Sequence, residues 1–204
     1  MTRLWDKGTP LDERILNFTA GEDYLLDERL VAYDVLASAA HARMLEAQGL
    51  LTTDDCDAIC DGLETLCMQH ADGQWSIQLE QEDVHSALEQ RLIELIGPAG
   101  GRVHLGRSRN DQVLAALRLY MRDAAQTLAE GAADVANELD NLAERHGDLD
   151  LPGYTHMQPA MPSSVTLWAA GFAAELRDDA VGLGAAARRA NMNPLGSAAG
   201  YGVS

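Results

Sequence analysis

The chain has 204 residues, and its 32 acidic residues outnumber its 15 Lys and Arg residues by 17, which gives a formal charge of -17. This charge argues against binding to nucleic acid or anionic lipid, and no apolar run reaches the roughly 18 to 20 residues of a membrane span. The N-terminal residues lack the apolar segment of a signal peptide, and three cysteines are too few for a secreted disulfide scaffold. We therefore expect a soluble, cytoplasmic protein.

The composition favours helices over strands. Aromatic residues make up 5% of the chain, Ala and Leu are frequent, and runs of β-branched residues are missing. Ala and Leu are strong helix formers, whereas sandwiches and barrels are rich in β-branched and aromatic residues. We therefore expect an all-α fold.

Three helices are predicted in the first half of the chain. Apolar residues recur at spacings of three and four from Asp23 to about Gln48, and Gly49 follows at the position of a C-terminal cap. A second helix begins after the potential N-caps Thr52 and Thr53 and runs to about residue 70. A third covers residues 83–96 and ends at a Gly-Pro pair.

The three cysteines fall on one face of the second helix. Cys56, Cys60 and Cys67 have offsets of 0, 4 and 11 residues. No Cys-x2-Cys pair or nearby histidine completes a set of four metal ligands. We interpret them as small residues on a buried stripe and predict no metal site.

Two long helices dominate the second half. Residues 110–145 contain no proline and one glycine, and their apolar residues recur at steps of three or four over about 50 Å of helix. A second long helix is predicted from Pro162, with Ser163 and Ser164 in its first turn, to about residue 190.

Two such long helices cannot bury their apolar stripes against each other alone, so they need further helices to pack against. The Gly-rich ending after residue 190 suggests a chain that stops inside a connection. We therefore expect a small N-terminal helical domain, residues 1–108. The first long antiparallel helices of a central helical bundle follow in residues 109–204.

One stretch of this acidic chain is basic. Arg102, His104, Arg107 and Arg109 lie between Glu94 and Asp111 with no acidic residue among them. The run His104-Leu-Gly-Arg-Ser-Arg-Asn-Asp-Gln112 precedes the first long helix, where backbone N–H groups and the helix dipole favour an anion. It reads either as a site for a carboxylate or phosphate, or as a helix cap with solvated arginines.

A second polar segment lies between the long helices. Its sequence is Leu151-Pro-Gly-Tyr-Thr-His-Met-Gln-Pro159, and its prolines keep it out of both helices. The adjacent Thr155 and His156 suit a general acid or base beside a hydroxyl. Taken alone, a loop histidine is more often an incidental polar residue.

The third polar segment is Gln81-Glu-Asp-Val-His-Ser-Ala-Leu-Glu-Gln90. His85 and Glu89 share a helix face at positions i and i+4. They could orient a site, although the spacing alone favours a local salt bridge.

Together these segments resemble the argininosuccinate lyase family of the fumarase and aspartase superfamily. The resemblance rests on four motifs in order: Glu82-Asp-Val-His85, His104-x-Gly-Arg-Ser-Arg-Asn-Asp-Gln112, Pro152-Gly-Tyr-Thr-His-x-Gln158 and Asn193-Pro-Leu-Gly-Ser197. It covers essentially the whole chain, but about the first half of a family member.

The resemblance implies reversible β-elimination of argininosuccinate to arginine and fumarate, without a cofactor. Ser108, Arg109, Asn110 and Thr155 are then expected to bind the succinyl carboxylates, and His156 to act as the acid-base residue. It also implies a homotetramer in which three subunits contribute to each site. Five further polar residues are expected to support the site: His85, Glu89, Arg107, Asp111 and Gln158.

Three departures from the family pattern matter. The family usually has Leu-Trp-Gly-Gly-Arg-Phe near its N-terminus, where this chain has Leu4-Trp-Asp-Lys-Gly8. The family also has a substrate-contacting serine before the first long helix. This chain has residues 18–23 there, and we expect Thr19 or Asp23 to take the place of that serine. The loop with the family's catalytic serine, and a downstream Glu that pairs with the histidine, are not in the chain. We therefore expect the 204 residues alone to be inactive.

Two rival functions remain compatible with the same motifs. One is a structural or regulatory protein that uses the lyase scaffold without chemistry. The other is a lyase for a different succinyl or fumaryl adduct. Retention of His156, Thr155 and the Arg109-Asn110 pair favours an enzyme over the first rival.

Overall fold

The computed structural model describes residues 12–198, apart from the side chain of Glu13, so the segment Leu4–Gly8 lies outside the described residues. Helices dominate the described chain and two short strands form one hairpin, which confirms the all-α fold class. The elements are α1 Glu13–Ala20, α2 Asp23–Leu26, α3 Val31–Ala47, α4 Thr53–Ala71, α5 Val84–Ile96, α6 Arg109–His146, β1 Asp150–Thr155, β2 Gln158–Ser164 and α7 Val165–Ala190.

The chain forms two compact units. Of the described residues, 12–120 together with 193–198 belong to the first unit, and 121–192 form the second. Helix α6 begins in the first unit and ends in the second.

The core of the first unit lies among α3, α4 and α5. Ile59 and Leu63 on α4 and Leu92 on α5 are completely buried. Helix α4 starts as predicted, because the Thr52 hydroxyl accepts a hydrogen bond from the Asp55 N–H at 3.2 Å and so satisfies one free donor of the first turn.

The helix predicted from Asp23 to Gln48 is interrupted. Residues 27–30 form a 3-10 turn between α2 and α3. The apolar residues that predicted this helix do not form its buried side: Leu26 and Met44 are exposed, whereas Asp34 and Ser38 are buried. The same face carries Val31, Ala42 and Leu45 of the hydrophobic core, and its two polar residues have partners on other elements, described below.

The cysteines of α4 lie against the core. Cys56 is buried, Cys60 and Cys67 are partly buried, and all three are free thiols. Burial raises the pKa of the Cys56 thiol, and the neighbouring Cys60 raises it further. These thiols therefore fit the predicted apolar role.

In the second unit, α6 and α7 run antiparallel. An ion pair joins Arg177 to Asp140, and Arg122 Nη1 donates to Asn191 Oδ1 at 3.2 Å. Small residues with no exposed surface mark the buried faces of these helices: Ala136, Ala169 and Ala173. The antiparallel arrangement of the long helices is thus confirmed.

The segment between the long helices is a β-hairpin. The sequence predicted its extended backbone but not the pairing of β1 with β2. The register shifts between Pro152 and Tyr154, and a Cβ on Gly153 would collide with the Met161 carbonyl oxygen, so only glycine fits there. The predicted start of α7 at Pro162 is wrong, because Pro162 belongs to β2 and Ser164 caps the helix.

No helix among the described residues is both long and apolar enough to cross a bilayer.

Candidate active site

The N-terminus of α6 is capped by two residues of the basic motif. Asp111 Oδ2 accepts hydrogen bonds from the Ser108 N–H at 2.7 Å and the Ser108 hydroxyl at 2.9 Å. Ser108 Oγ in turn accepts from the Asp111 N–H at 3.4 Å. The two bonds that Asp111 accepts hold its pKa below the ordinary value, and the bond from the Ser108 N–H has the larger effect.

This cap changes how an anion would bind at α6. The Asp111 carboxylate already neutralises part of the positive end of the helix dipole. A substrate carboxylate at the same place would need the Ser108 hydroxyl to turn away from Asp111. Asn110 has an exposed side chain and is available to a ligand.

Arg109 reaches from α6 to the start of α5. Its Nη2 donates to Ser86 Oγ at 3.1 Å, its Nε lies 3.5 Å from Asp83 Oδ2, and its Nη1 donates to Gln112 Oε1 at 3.5 Å. These contacts fix the orientation of the Arg109 guanidinium. The Asp83 carboxylate also offsets part of the guanidinium charge. The sequence predicted neither Asp83 nor Ser86 as its partners.

Arg107 points inward to α3. Its Nη2 donates to Ser38 Oγ and to the Val103 carbonyl oxygen, both at 3.2 Å. Burial lowers the pKa of Arg107, and the nearby carboxylates of Asp34 and Asp111 oppose that effect. Arg107 is therefore a buried cation that links the turn before α6 to α3.

His85 and Glu89 do not form the local salt bridge that their spacing favours. His85 Nδ1 lies 2.8 Å from Asp34 Oδ2, and both side chains are almost fully buried. Glu89 instead approaches His104 Nδ1 at 3.6 Å. The partners come from α3 and from the loop before α6, which spacing within α5 cannot reveal.

His41, to which the sequence assigned no chemistry, holds the same loop. Its Nε2 lies 2.8 Å from the Leu105 carbonyl oxygen, which makes Nε2 the protonated nitrogen of the neutral ring. Burial is the main cause of a lowered His41 pKa. The hydrogen bond to Leu105 opposes the shift, and the positive field of Arg107 and His104 adds to it.

Thr155, His156 and Gln158 lie at the tip of the hairpin. Thr155 pairs with Gln158, and all three side chains are exposed. The two residues between the strands, His156 and Met157, have φ of 48° and 62°. Positive φ at both positions is the pattern of a type I′ turn, which usually takes Asn and Gly.

A non-glycine residue at positive φ carries a backbone strain of about 1 to 3 kcal/mol. The hairpin therefore holds the imidazole of His156 at an exposed tip in a conformation that its sequence does not favour. Such strain tends to be found where function requires it.

A third residue at positive φ lies in the Glu82-Asp-Val-His85 motif. Glu82 has φ 68° and ψ -52°, and the Asp83 N–H donates to the Gln81 carbonyl oxygen at 2.8 Å. This is a γ-turn, a rare and strained conformation. It places Asp83 where it both caps α5 and approaches Arg109.

The two residues expected to replace the family's N-terminal serine differ in availability. The Thr19 hydroxyl donates to the carbonyl oxygens of Ile15 and Leu16 at 3.0 and 3.2 Å, within its own helix. Asp23 is exposed in the first turn of α2. Asp23 therefore remains the better placed of the two.

A groove elsewhere in the first unit contains none of the motif residues. It encloses about 630 Å³ beside Trp75, over whose ring the Arg91 guanidinium lies at 4.4 Å. His70 and Glu28 on its wall pair with each other. His70 and Glu28 are therefore already paired within this groove, and the motif residues form a stronger candidate site than the groove does.

The sequence missed Asp34 and Ser38, which connect His85 to Arg107. Their only sequence signal is the i, i+4 spacing of two polar residues on a helix, which is equally typical of a solvated face. The described motif residues divide between the compact units: Ser108, Arg109 and Asn110 lie in the first, and Thr155 and His156 in the second.

These features accompany a family match. A family model described as lyase matches residues 8–204, and the chain belongs to this lyase family. Argininosuccinate lyase of Sorangium cellulosum is 48% identical over 201 residues, which cover 98% of this chain and 47% of the relative. That of Xanthomonas axonopodis pv. citri is 41% identical, with 98% and 46% covered.

The chain therefore spans about half the length of the curated relatives that it matches. The resemblance to argininosuccinate lyases, stated from four motifs, is confirmed. Among solved structures, a variant of EDDS lyase with bound fumarate is similar with a TM-score of 0.72 and 26% identity, covering 96% of this chain and 39% of that one.

Proposed function

We propose that these residues belong to an argininosuccinate lyase, which eliminates arginine from argininosuccinate and leaves fumarate. The observation that carries the proposal is the 48% identity to an argininosuccinate lyase over nearly the whole chain. The similarity to EDDS lyase is weaker, at 26% identity. It therefore supports a lyase in general more than a different adduct as substrate.

The described residues suit the electrostatic demand of this reaction. Loss of the Cβ proton leaves a carbanion whose charge spreads into the neighbouring carboxylate, and the C–N bond to the guanidino group then breaks. Donors aimed at that carboxylate stabilise the transition state. In our proposal Arg109 and Asn110 supply them at the start of α6, together with Ser108 and Thr155, and Asp23 contributes a further substrate contact.

His156 is the proposed acid-base residue. Imidazole changes charge near neutral pH, which suits proton transfer during the departure of the guanidino group. Its exposed position at the hairpin tip leaves it accessible to a substrate. In the proposal Gln158 supports the hairpin, while His85, Glu89, Arg107 and Asp111 support the donors at α6. No metal or cofactor takes part.

The proposed assembly is a homotetramer in the cytoplasm. Large apolar side chains remain exposed on α6 and α7, which supports burial against other subunits. They are Leu114, Leu117, Met121, Leu128 and Val135 on α6, and Leu167, Trp168, Phe172 and Val181 on α7. The proposed domains are residues 1–108 and 109–204, and the 204 residues alone are proposed to be inactive.

A substrate panel tests the function. The gene product that contains these 204 residues is assayed for fumarate release from argininosuccinate, aspartate and EDDS at equal concentration. We expect fumarate from argininosuccinate, with kcat/KM at least about a hundredfold above the other two, because a site built for hydrogen bonds rejects analogues that leave its polar groups unpaired.

The panel also separates the rivals. Preferential release from another adduct would assign a different substrate to the same scaffold. Release from none of them, by a folded protein, would favour a non-catalytic product.

A further inference from the structure

A buried polar network connects helix α3 to the turn before α6. Asp34 is 1% exposed and Ser38 is 2% exposed, although both are polar residues on a helix. Ser38 Oγ donates to Asp34 Oδ1 at 3.1 Å and accepts from Arg107 Nη2 at 3.2 Å. Asp34 Oδ2 is bonded to His85 Nδ1 on α5. The network thus joins three separate parts of the first unit.

The network is held by charge as well as by hydrogen bonds. Asp34 raises the pKa of the largely buried Arg107 against the effect of burial, so each charge stabilises the other. A buried cation without its counter-charge is strongly unfavourable. Arg107 therefore has one low-energy position, next to Ser38 and Asp34.

Arg107 has few other attachments. Its Nε and Nη1 are buried without a hydrogen-bond acceptor among the described residues, and its Nη2 has only Ser38 Oγ and the Val103 carbonyl oxygen. The Val103 contact lies within the same loop and cannot fix that loop relative to α3. Ser38 is therefore the hydrogen-bonded link between the Arg107 side chain and α3, and it acts beside the His41–Leu105 hydrogen bond that holds the preceding turn of the loop.

The position of Arg107 determines the position of the groups that follow it. Gly106, with φ +76°, makes the turn that sends the Arg107 side chain inward. The next residue, Ser108, begins the cap of α6, and Arg109 and Asn110 form its first turn.

We propose that Asp34 and Ser38 are positioning residues, which hold Arg107 and through it the Ser108-Arg109-Asn110 turn in the geometry that receives the substrate carboxylate. The inference deepens the proposed function and rests on it for the identity of that carboxylate. The anchoring of the turn itself does not depend on the substrate.

The variant Ser38→Ala tests this with little disturbance, since it removes one oxygen from a helix and leaves a good helix former. The matched control is Cys60→Ala on α4, which also removes one heavy atom, the sulfur that contacts the Ala39 carbonyl oxygen of α3 at 3.9 Å. Neither variant alters Ser108, Arg109 or Asn110.

Two measurements are made on the full gene product, well below the melting temperature of each variant. Amide hydrogen exchange over residues 103–112 should be about tenfold faster in Ser38→Ala and unchanged within about twofold in Cys60→Ala, as for loss of one hydrogen bond to a charged group. The value of kcat/KM for argininosuccinate should fall by about tenfold in Ser38→Ala only.

A second variant, Asp34→Asn, should produce a larger increase in exchange over residues 103–112, because the counter-charge of Arg107 is lost while the size is kept. If Asp34→Asn does not fold, Ser38→Ala alone decides.

Unchanged exchange over residues 103–112 in Ser38→Ala would overturn the anchoring. Faster exchange with unchanged kcat/KM would overturn its link to the substrate. A wild type without lyase activity would overturn the proposed function instead, and the exchange data would still decide whether Asp34 and Ser38 anchor the turn.

Discussion

Several polar side chains hold the loop before α6. His41 bonds the Leu105 carbonyl oxygen, His104 faces Glu89, and Arg107 reaches Ser38. Three of these five side chains, His41, His104 and Arg107, are therefore cations or can become cations. The loop should respond to pH, since protonation of one group raises the energy of the others.

The pH dependence of stability follows from the lowered pKa of His41. The folded state binds the proton of His41 less tightly than the unfolded state does. The contribution of neutral His41 to the free energy of unfolding is therefore complete above the ordinary pKa of 6.5, and it is lost as the pH falls from there towards the lowered pKa. We expect His41→Gln, whose amide keeps a donor for Leu105, to lack this part of the pH profile.

The measurement is the free energy of unfolding between pH 7.5 and 5 in urea. The control is Met44→Gln, an exposed residue of the same helix as His41 that carries no titratable group, which should leave the profile parallel to that of the wild type. A His41→Gln profile parallel to the wild type over the same range would contradict the expectation.

At the scale of single elements, the hairpin β1–β2 is the part least supported by its own sequence. A type I′ turn favours Asn-Gly, yet its two central residues are His156 and Met157. Met157 is 93% exposed and contributes little packing to offset its positive φ. The free energy cost of placing Met157 at positive φ is therefore almost entirely conformational.

Replacing Met157 with glycine should stabilise the protein by about 1 kcal/mol, because glycine adopts positive φ without a Cβ clash. The free energy of unfolding in urea measures the change. The control Met157→Ala removes the same side chain but retains the Cβ, and should give no comparable gain. Equal stability of the glycine and alanine variants would contradict the strain at this residue.

The sequence predicted the elements better than their surroundings. Helices α4, α5 and α6 lie within about two residues of their predicted bounds, since caps and periodic apolar residues are local signals. Helix α1, the 3-10 turn at residues 27–30 and the strand pairing were missed. Prolines indicated an extended chain, but the pairing depends on the turn at His156, whose residues are atypical of a hairpin.

The site was predicted to a similar extent. The motifs identified Ser108, Arg109, Asn110, Thr155 and His156 as a set, and their roles remain predictions. What lay beyond the sequence were contacts between elements, as in the pairing of Asp34 with His85. A polar residue in a helix is expected to be exposed unless its distant partner is known, so the burial of Asp34 and Ser38 between Val31 and Ala42 could not be inferred from periodicity.

At the scale of the whole molecule, the -17 charge and the apolar surfaces are separate features. Acidic residues outnumber Lys and Arg by 17, while α6 and α7 leave large apolar side chains exposed. Such exposed apolar faces are typical of surfaces that are covered in an assembly. The chain also spans about half the length of its curated relatives. The proposed activity therefore concerns the complete assembled enzyme.

We propose that the gene product containing these residues releases fumarate from argininosuccinate, with His156 as its acid-base residue. The most direct measurement compares kcat for fumarate release by the wild-type gene product, His156→Asn and Met157→Asn. Asparagine tolerates positive φ, so both variants retain the turn while only the first removes the imidazole. We predict a loss of about 10²- to 10⁴-fold in His156→Asn and less than about threefold in Met157→Asn. Equal activity of the two variants, or no fumarate from the folded wild type, would contradict the account.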